Sequence, residues 1–339
     1  MKYAVYGAGS LGIVFSAYLA QAREDFTLVD RNPKSVEAIK QNGVKVTGEA
    51  NLEAPVKIAL ETKLEDKFDL IFLFSKQINN LETIKKVARM LSPSGVICTM
   101  QNGLPEIEVA SVIGENRTYG AAVGFGATRT DYGISMLTSK ATRESLSFSL
   151  GSFNNNDTPV FKEIKRILNI VGNVSVETNF IGARYAKLII NSSFSGMSTV
   201  CGATFGEVAK NKKSRKVIQM IIKECIDVAK AKNIKVMPIQ GKDIVKLLDY
   251  RNKLKKFFGF LIIPIAIKKH AALKASMLQD IEKGLPCEID SINQIICKLG
   301  EEANIKTPFN DKVVEIIKKE EAKELVPSFL NVSLFDSLF

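Results

Sequence analysis

The sequence predicts an α/β domain with a parallel sheet at residues 1–178, an all-α domain at 179–325 and an apolar tail at 326–339. Three observations carry this reading. A strand, a glycine turn and a helix open the chain. Further short and nearly continuous apolar runs follow, the pattern of strands buried on both faces. From residue 181 onward apolar residues recur at helical spacing instead. The length of 339 residues suits about two domains of roughly 150 residues each.

Composition narrows the function classes. Apolar residues make up 46% and charged residues 24%, as in an ordinary globular protein. The charge of +11 favours anionic ligands. Five cysteines without a C-x-x-C pair argue against a disulfide framework or a zinc cage. A single histidine, His270, argues against a Ser-His-Asp hydrolase and a multi-histidine metal site, so no metal is expected. The basic pairs, such as Lys212-Lys213 and Lys318-Lys319, are scattered and lack interleaved aromatics, so no nucleic-acid partner is expected. No signal peptide is visible at Met1. The longest apolar run, 257–267, is interrupted by Pro264 and is too short for a bilayer, which needs about 20 residues. A cytoplasmic enzyme without a membrane partner is the expectation.

Taken in order, residues 3–6 read as a buried strand, followed by Gly7-Ala8-Gly9-Ser10-Leu11-Gly12 and a helix over 13–22. A second strand covers 26–29. This places G-x-G-x-x-G between a strand and a helix in a βαβ unit, the dinucleotide-binding (Rossmann) fingerprint. Gly7 permits the tight turn, Gly9 lets the backbone approach a pyrophosphate, and Gly12 lets the helix pack close. The helix N-terminus offers N–H groups to the phosphates. At the end of the second strand, Asp30 could accept from the ribose hydroxyls of NAD(H), whereas Arg31, with Lys34 nearby, could pair the 2′-phosphate of NADP(H). The reading leans to NADP(H). Strands at 69–75 and 96–100 end at Lys76 and at Gln101-Asn102-Gly103, with a helix at 81–91 between them. Ligands of open α/β sheets bind beyond these carboxyl ends, which draws Lys76 and Asn102 into the candidate site. An antiparallel extension is expected at 120–126, 133–136 and 145–150, then a helix at 158–171 and a strand at 174–177.

The second half reads as helices at 181–200, 212–232, 271–282, 287–303 and 312–323. In the first of these, Lys187, Asn191 and Ser195 are spaced four apart and share a face. A lysine and an asparagine in so apolar a helix are costly to bury without a partner or a task.

On these residues the chain resembles the ketopantoate reductases. The resemblance runs from Met1 to about Lys323 and rests on GAGSLG, on K-x-x-x-N in KLIINSS, and above all on Ser276-Met277-Leu278-Gln279-Asp280, Glu288-Ile289-Asp290 and Thr307-Pro308-Phe309-Asn310. It implies a Rossmann domain and a helical domain with the site in the cleft between them. The implied reaction is NADPH-dependent reduction of a 2-keto acid, ketopantoate, to pantoate on the route to coenzyme A. Residues 7–12 would hold the pyrophosphate and Arg31 the 2′-phosphate. Lys76 and Asn102 would flank nicotinamide and substrate. Lys187 falls at the general acid, Asn191 and Ser276 at substrate positions, and Glu288 at the acidic residue of the site, with Ser195 on the same helical face. The chain departs from the family pattern at Ser195-Gly196, where an asparagine and a proline are usual, and at Leu273-Lys274. Two alternatives follow: a paralogous reductase of a less polar 2-keto acid, and a non-catalytic NADP-binding sensor. The tail either packs on a second copy, in a homodimer, or frays.

Overall fold

A computed structural model describes residues 1–154, 156–239 and 241–339. The chain divides into two compact units, Met1–Gln101 with Pro105–Phe180, and Asn102–Leu104 with Ile181–Phe339. The expected boundary after residue 178 thus lies two residues before the change of unit. The short Asn102–Leu104 segment counts with the helical unit, whose core includes Leu104.

In the first unit the elements are β1 (Tyr3–Tyr6), α1 (Ser10–Gln21), β2 (Phe26–Asp30), α2 (Pro33–Asn42), β3 (Val44–Gly48), β4 (Leu52–Ala54), β5 (Ile58–Leu60), β6 (Phe68–Leu73), α3 (Asn80–Arg89) and β7 (Leu91–Thr99). They continue with α4 (Pro105–Ile113), β8 (Thr118–Val123), β9 (Ala127–Asp131), β10 (Ile134–Leu137), β11 (Ser147–Ser152), α5 (Pro159–Val171) and β12 (Asn173–Val176). Eight strands form one sheet in the order β12-β11-β8-β7-β6-β1-β2-β5. It is parallel from β5 to β8 and turns antiparallel only between β8 and β11. The chain leaves β1 for β2 on one side and reaches β6 on the other, so the strand order reverses at β1. The crevice beyond β1 is the ligand position of such sheets.

Several expectations need correction. Residues 118–123 pair in parallel with β7 on one side and antiparallel with β11 on the other, so the expected antiparallel extension forms between 118–123 and 147–152 only. The strand expected at 133–136 belongs to a second, four-stranded sheet, β4-β3-β10-β9, with strands β3 and β4 that the sequence reading did not name. Val44, Val46 and Leu137 of that sheet pack in one core with Ile13 and Phe15 of α1. Covered in this way, α1 has no polar face: Gly12 to Ala17 and Leu19 are all buried. Serine and glycine at 10–12 were read as turn, yet α1 starts at Ser10, because Gly9 already accepts the first helical bond from the Ile13 N–H (3.0 Å).

The second unit holds α6 (Phe180–Ile190), a π-helical turn (Asn191–Ser195), α7 (Gly196–Cys201), α8 (Phe205–Lys210), α9 (Lys212–Ala231), α10 (Ile244–Leu248), α11 (Lys253–Ala266), α12 (Ser276–Glu282), α13 (Ile289–Glu302) and α14 (Pro308–Glu321). Its core is built largely from the buried faces of α6, α7, α9, α13 and α14. The single helix expected at 181–200 is therefore interrupted, and the helix expected at 271–282 starts only at Ser276. The run 257–267 lies mostly in α11, which leaves Leu254, Phe257, Phe258, Leu261 and Ile265 exposed along one side. The tail does not fray: Phe329–Leu338 forms a 3₁₀ helix that buries Val332 and Phe335 in the core of this unit. Asn331 Nδ2 ties it down, donating to the Val200 carbonyl (3.2 Å) and to Glu320 Oε1 (3.1 Å). All five cysteines are buried thiols. Among the described residues no helix is long and apolar enough to cross a membrane, and no group of three or more His, Cys, Asp or Glu side chains could hold a metal.

Candidate active site

The glycine turn lies at the carboxyl end of β1. Gly7 has φ +109°, a conformation open to glycine, and its N–H donates to the Val29 carbonyl (2.8 Å). A Cβ there would approach the Ser75 nitrogen to 2.9 Å. At Gly12 a Cβ would stand 2.0 Å from the Gly7 carbonyl oxygen, so the helix closes on the turn with no room for a side chain. Gly9 differs. A Cβ at that position would meet nothing within 4 Å. No neighbouring protein atom demands glycine there, whereas a ligand approaching the backbone would. Gly9 is also the N-cap of α1 and has no side chain to satisfy the first N–H groups. The partly exposed Ser10 and Leu11 follow it, and Ala8 is buried. This is the open, electropositive helix start that suits a diphosphate.

Both oxygens of Asp30 are engaged by the main chain. Oδ2 accepts from the Ala8 N–H (2.6 Å) and Oδ1 from the Asn32 N–H (2.7 Å). Arg31 and Lys34, on either side of Asn32, are exposed. Lys76 is exposed three residues beyond β6. The segment that carries it is pinned by buried Gln101, whose Nε2 donates to the Ser75 carbonyl and to Asn80 Oδ1 (2.8 Å each). The sequence reading took Gln101 only as a strand end. Partly exposed Asn102 follows β7 and counts with the other unit.

In the helical unit, α6 and the π turn carry the remaining candidates. Most of residues 181–201 are buried, and the partly exposed positions include Ala183, Lys187, Asn191 and Ser195. The spacing of four thus survives the break in the helix. Burial, together with the Arg184 guanidinium one turn earlier, pushes the Lys187 ammonium down to about 8, while the Glu288 carboxylate pulls the other way. Glu288 is partly buried and stands at the N-cap of α13, where a negative charge meets the positive end of the helix. Ser276 is exposed at the first residue of α12, and the Ala275 N–H before it donates to Ser198 Oγ in α7 (3.2 Å). The second unit therefore sets Lys187, Asn191 and Ser195 on one open stripe, with Glu288 within electrostatic reach of the lysine. Gly7, Ala8, Gly9, Ser10, Leu11, Gly12, Arg31 and Lys76 belong to the first unit. Arg184, only 1% exposed, was missed, although a charged residue in an apolar helix is the same signal that drew attention to Lys187.

A parallel sheet with a glycine turn at the point where its strand order reverses defines a nucleotide-binding unit of the Rossmann class, here joined in one chain to a helical unit that bears Lys187, Asn191 and Ser195. The particular family follows from comparison. The profile of ketopantoate reductase PanE/ApbA matches residues 3–147, and that of its C-terminal domain matches residues 179–321. The chain belongs to the ketopantoate reductase family. It is 28% identical over 331 residues to a 2-dehydropantoate 2-reductase of Pyrococcus abyssi, covering 96% of this chain and 99% of that one. The enzyme of the same name from Aquifex aeolicus is likewise 28% identical over 331 residues, covering 95% of this chain and 97% of the relative. Among solved structures, D-mandelate dehydrogenase with NADH and anilino(oxo)acetate superposes with a TM-score of 0.81 at 22% identity, covering 95% of this chain and 99% of that one. A ketopantoate reductase from Ralstonia eutropha JMP134 gives 0.80 at 21% identity, with 96% and 99% covered. At such identities the structures share the fold.

Proposed function

We propose that the chain reduces 2-dehydropantoate to pantoate with NADPH. The observation that carries this reading is Lys187, partly open on a helix that is otherwise largely buried and held near pKa 8. When bound, the nicotinamide supplies a hydride. Lys187 as the ammonium places a positive charge and a proton at the ketone oxygen, where negative charge develops. Glu288 keeps a share of Lys187 protonated near neutral pH and accepts from a substrate hydroxyl. Asn191, Ser195, Ser276 and Asn102 supply polar contacts to the substrate. In the first unit, the N–H groups of residues 9–12 at the start of α1 would face the pyrophosphate. NADP(H) is favoured over NAD(H) because the exposed Arg31 at the end of β2, with exposed Lys34 nearby, can meet a 2′-phosphate.

A second reading keeps the chemistry and changes the acid. Ser195 puts a short side chain on the stripe where the family pattern has an asparagine, which leaves room for a larger and less polar 2-keto acid. NADPH oxidation against a panel of 2-keto acids, ketopantoate and an aryl 2-keto acid included, with NADH in parallel, tests both. Highest kcat/KM for ketopantoate with NADPH is expected. Preference for the aryl acid would establish the second reading, and no turnover of any keto acid would favour the sensor.

A further inference from the structure

The motif Thr307-Pro308-Phe309-Asn310 has no part in the chemistry above, yet it ends a polar chain through the helical core, in which Asn293 Oδ1 has no partner. Glu224 on α9 caps α14: Oε1 accepts from the Phe309 N–H (2.8 Å), and Oε2 from the Asn310 N–H (3.0 Å) and Asn310 Nδ2 (2.7 Å). Asn310 Oδ1 accepts from Asn293 Nδ2 (3.0 Å), and the same Nδ2 donates its other hydrogen to the Ser192 carbonyl (3.0 Å). Asn310, Asn293 and Ser192 are fully buried, and Glu224 nearly so. The order carboxylate, amide, amide, carbonyl fixes the orientation of the Asn310 amide, because turning it over would set donor against donor.

The chain ends inside the π turn. There the Gly196 N–H donates to the Asn191 carbonyl five residues back, and side chains serve the carbonyls of the widened turn. Ser193 Oγ donates to Ile189 (2.7 Å), Thr199 Oγ1 to Ser195 (2.8 Å), and Asn293 to Ser192. Gly196 lets Asn293 come close, since a Cβ there would stand 3.1 Å from Asn293 Oδ1. The turn matters for the stripe. In an unbroken α-helix a residue eight positions on lies about 80° away from its starting line. A π turn holds more residues per revolution, so the step from Asn191 to Ser195 falls back and returns Ser195 toward the line of Lys187.

We infer that Asn293, fixed by Asn310 and Glu224, is a positioning residue whose bond to the Ser192 carbonyl holds the π turn and thereby keeps Asn191 and Ser195 in line with Lys187. The inference rests on the proposed reductase reading for its kinetic consequence, but its structural part can be tested alone. In the full chain, Asn293→Ala and the nearly isosteric Asn293→Leu, which removes the donor, are compared with Ile263→Ala, a core truncation on α11. Three readouts are taken: melting temperature, hydrogen exchange of the amides at 191–199, and keto-acid KM against kcat and NADPH affinity. Both Asn293 variants should speed exchange at 191–199 about tenfold or more and raise keto-acid KM about tenfold with NADPH affinity unchanged. Ile263→Ala should do neither at a comparable loss of melting temperature. Wild-type exchange and KM in Asn293→Leu, or equal changes in Ile263→Ala, would overturn the inference. If the wild type turns over no keto acid, the reductase reading fails, and the exchange contrast alone decides the positioning role.

Discussion

The glycine turn of the first unit and the lysine stripe of the second are built from different materials. The turn presents main-chain N–H groups, and its glycines act by having no side chain. Its dimensions follow from six consecutive residues between β1 and α1. The stripe presents side chains, and its line depends on residues far away in sequence: Ser192 meets Asn293, 101 positions on, and Asn310 meets Glu224 across 86. A backbone site is therefore fragile to any added atom at close contacts and indifferent to distant changes. A side-chain site of this kind tolerates local steric change better but fails when remote polar partners are lost.

The largest effect should come from the stripe. Lys187→Ala is expected to lower kcat by about 10²–10⁴-fold while NADPH affinity stays near normal, as measured by steady-state kinetics and fluorescence titration. Only the ammonium can give its proton, so in the wild type the rate should fall as pH rises through about 8. The variant should lose that limb, and an unchanged profile would remove Lys187 from the mechanism.

Next, two glycines of one turn should behave oppositely. Gly12→Ala forces a Cβ to 2.0 Å from a carbonyl oxygen and should cost about 2 kcal/mol or more of stability, together with NADPH binding. Gly9→Ala enters open space, so its melting temperature should match the wild type while NADPH binding weakens. Wild-type NADPH affinity in Gly9→Ala would mean that the opening does not serve a phosphate. A smaller loss is expected at the edge of the same site. Arg31→Ala should weaken NADPH roughly tenfold or more, the worth of a charge-assisted contact, and leave NADH nearly unaffected. Equal losses would contradict the assignment of Arg31 to the 2′-phosphate.

The smallest effect concerns the tail of the second unit. Burial pushes the Glu320 carboxyl up to about 8, against the Asn331 hydrogen bond. The native state thus holds a proton that the unfolded chain releases at about 4.5. Its contribution to stability is fully present below that value and is lost as pH rises through about 8. Glu320→Gln should therefore melt like the wild type at pH 4 and be more stable at pH 9, by about 1–2 kcal/mol. Identical melting curves at pH 9 would show that Glu320 ionises without penalty.

By itself the sequence located strands β1, β2, β6, β7, β8, β11 and β12 of the first unit's main sheet and helices α1, α3 and α5, together with the glycine turn and the family. These rest on local patterns: apolar runs, a fixed glycine spacing, and the grouped motifs at 276–280, 288–290 and 307–310. It also pointed to Lys187 and Asn191, because polar groups in an apolar helix stand out without any knowledge of their neighbours. Tertiary structure decided the rest. Strands β3, β4 and β5 are three to five residues long, too short to declare themselves, and exist by pairing with strands from elsewhere in the chain. The bonds that Asp30 accepts from the Ala8 and Asn32 N–H groups, which brace the glycine turn against the end of β2, are visible only in the folded chain. The π turn gives no sign in a helical pattern of spacing four. It depends on hydrogen bonds from Asn293, Ser193 and Thr199, and the decisive one comes from a helix a hundred residues away, a distance that periodicity does not span.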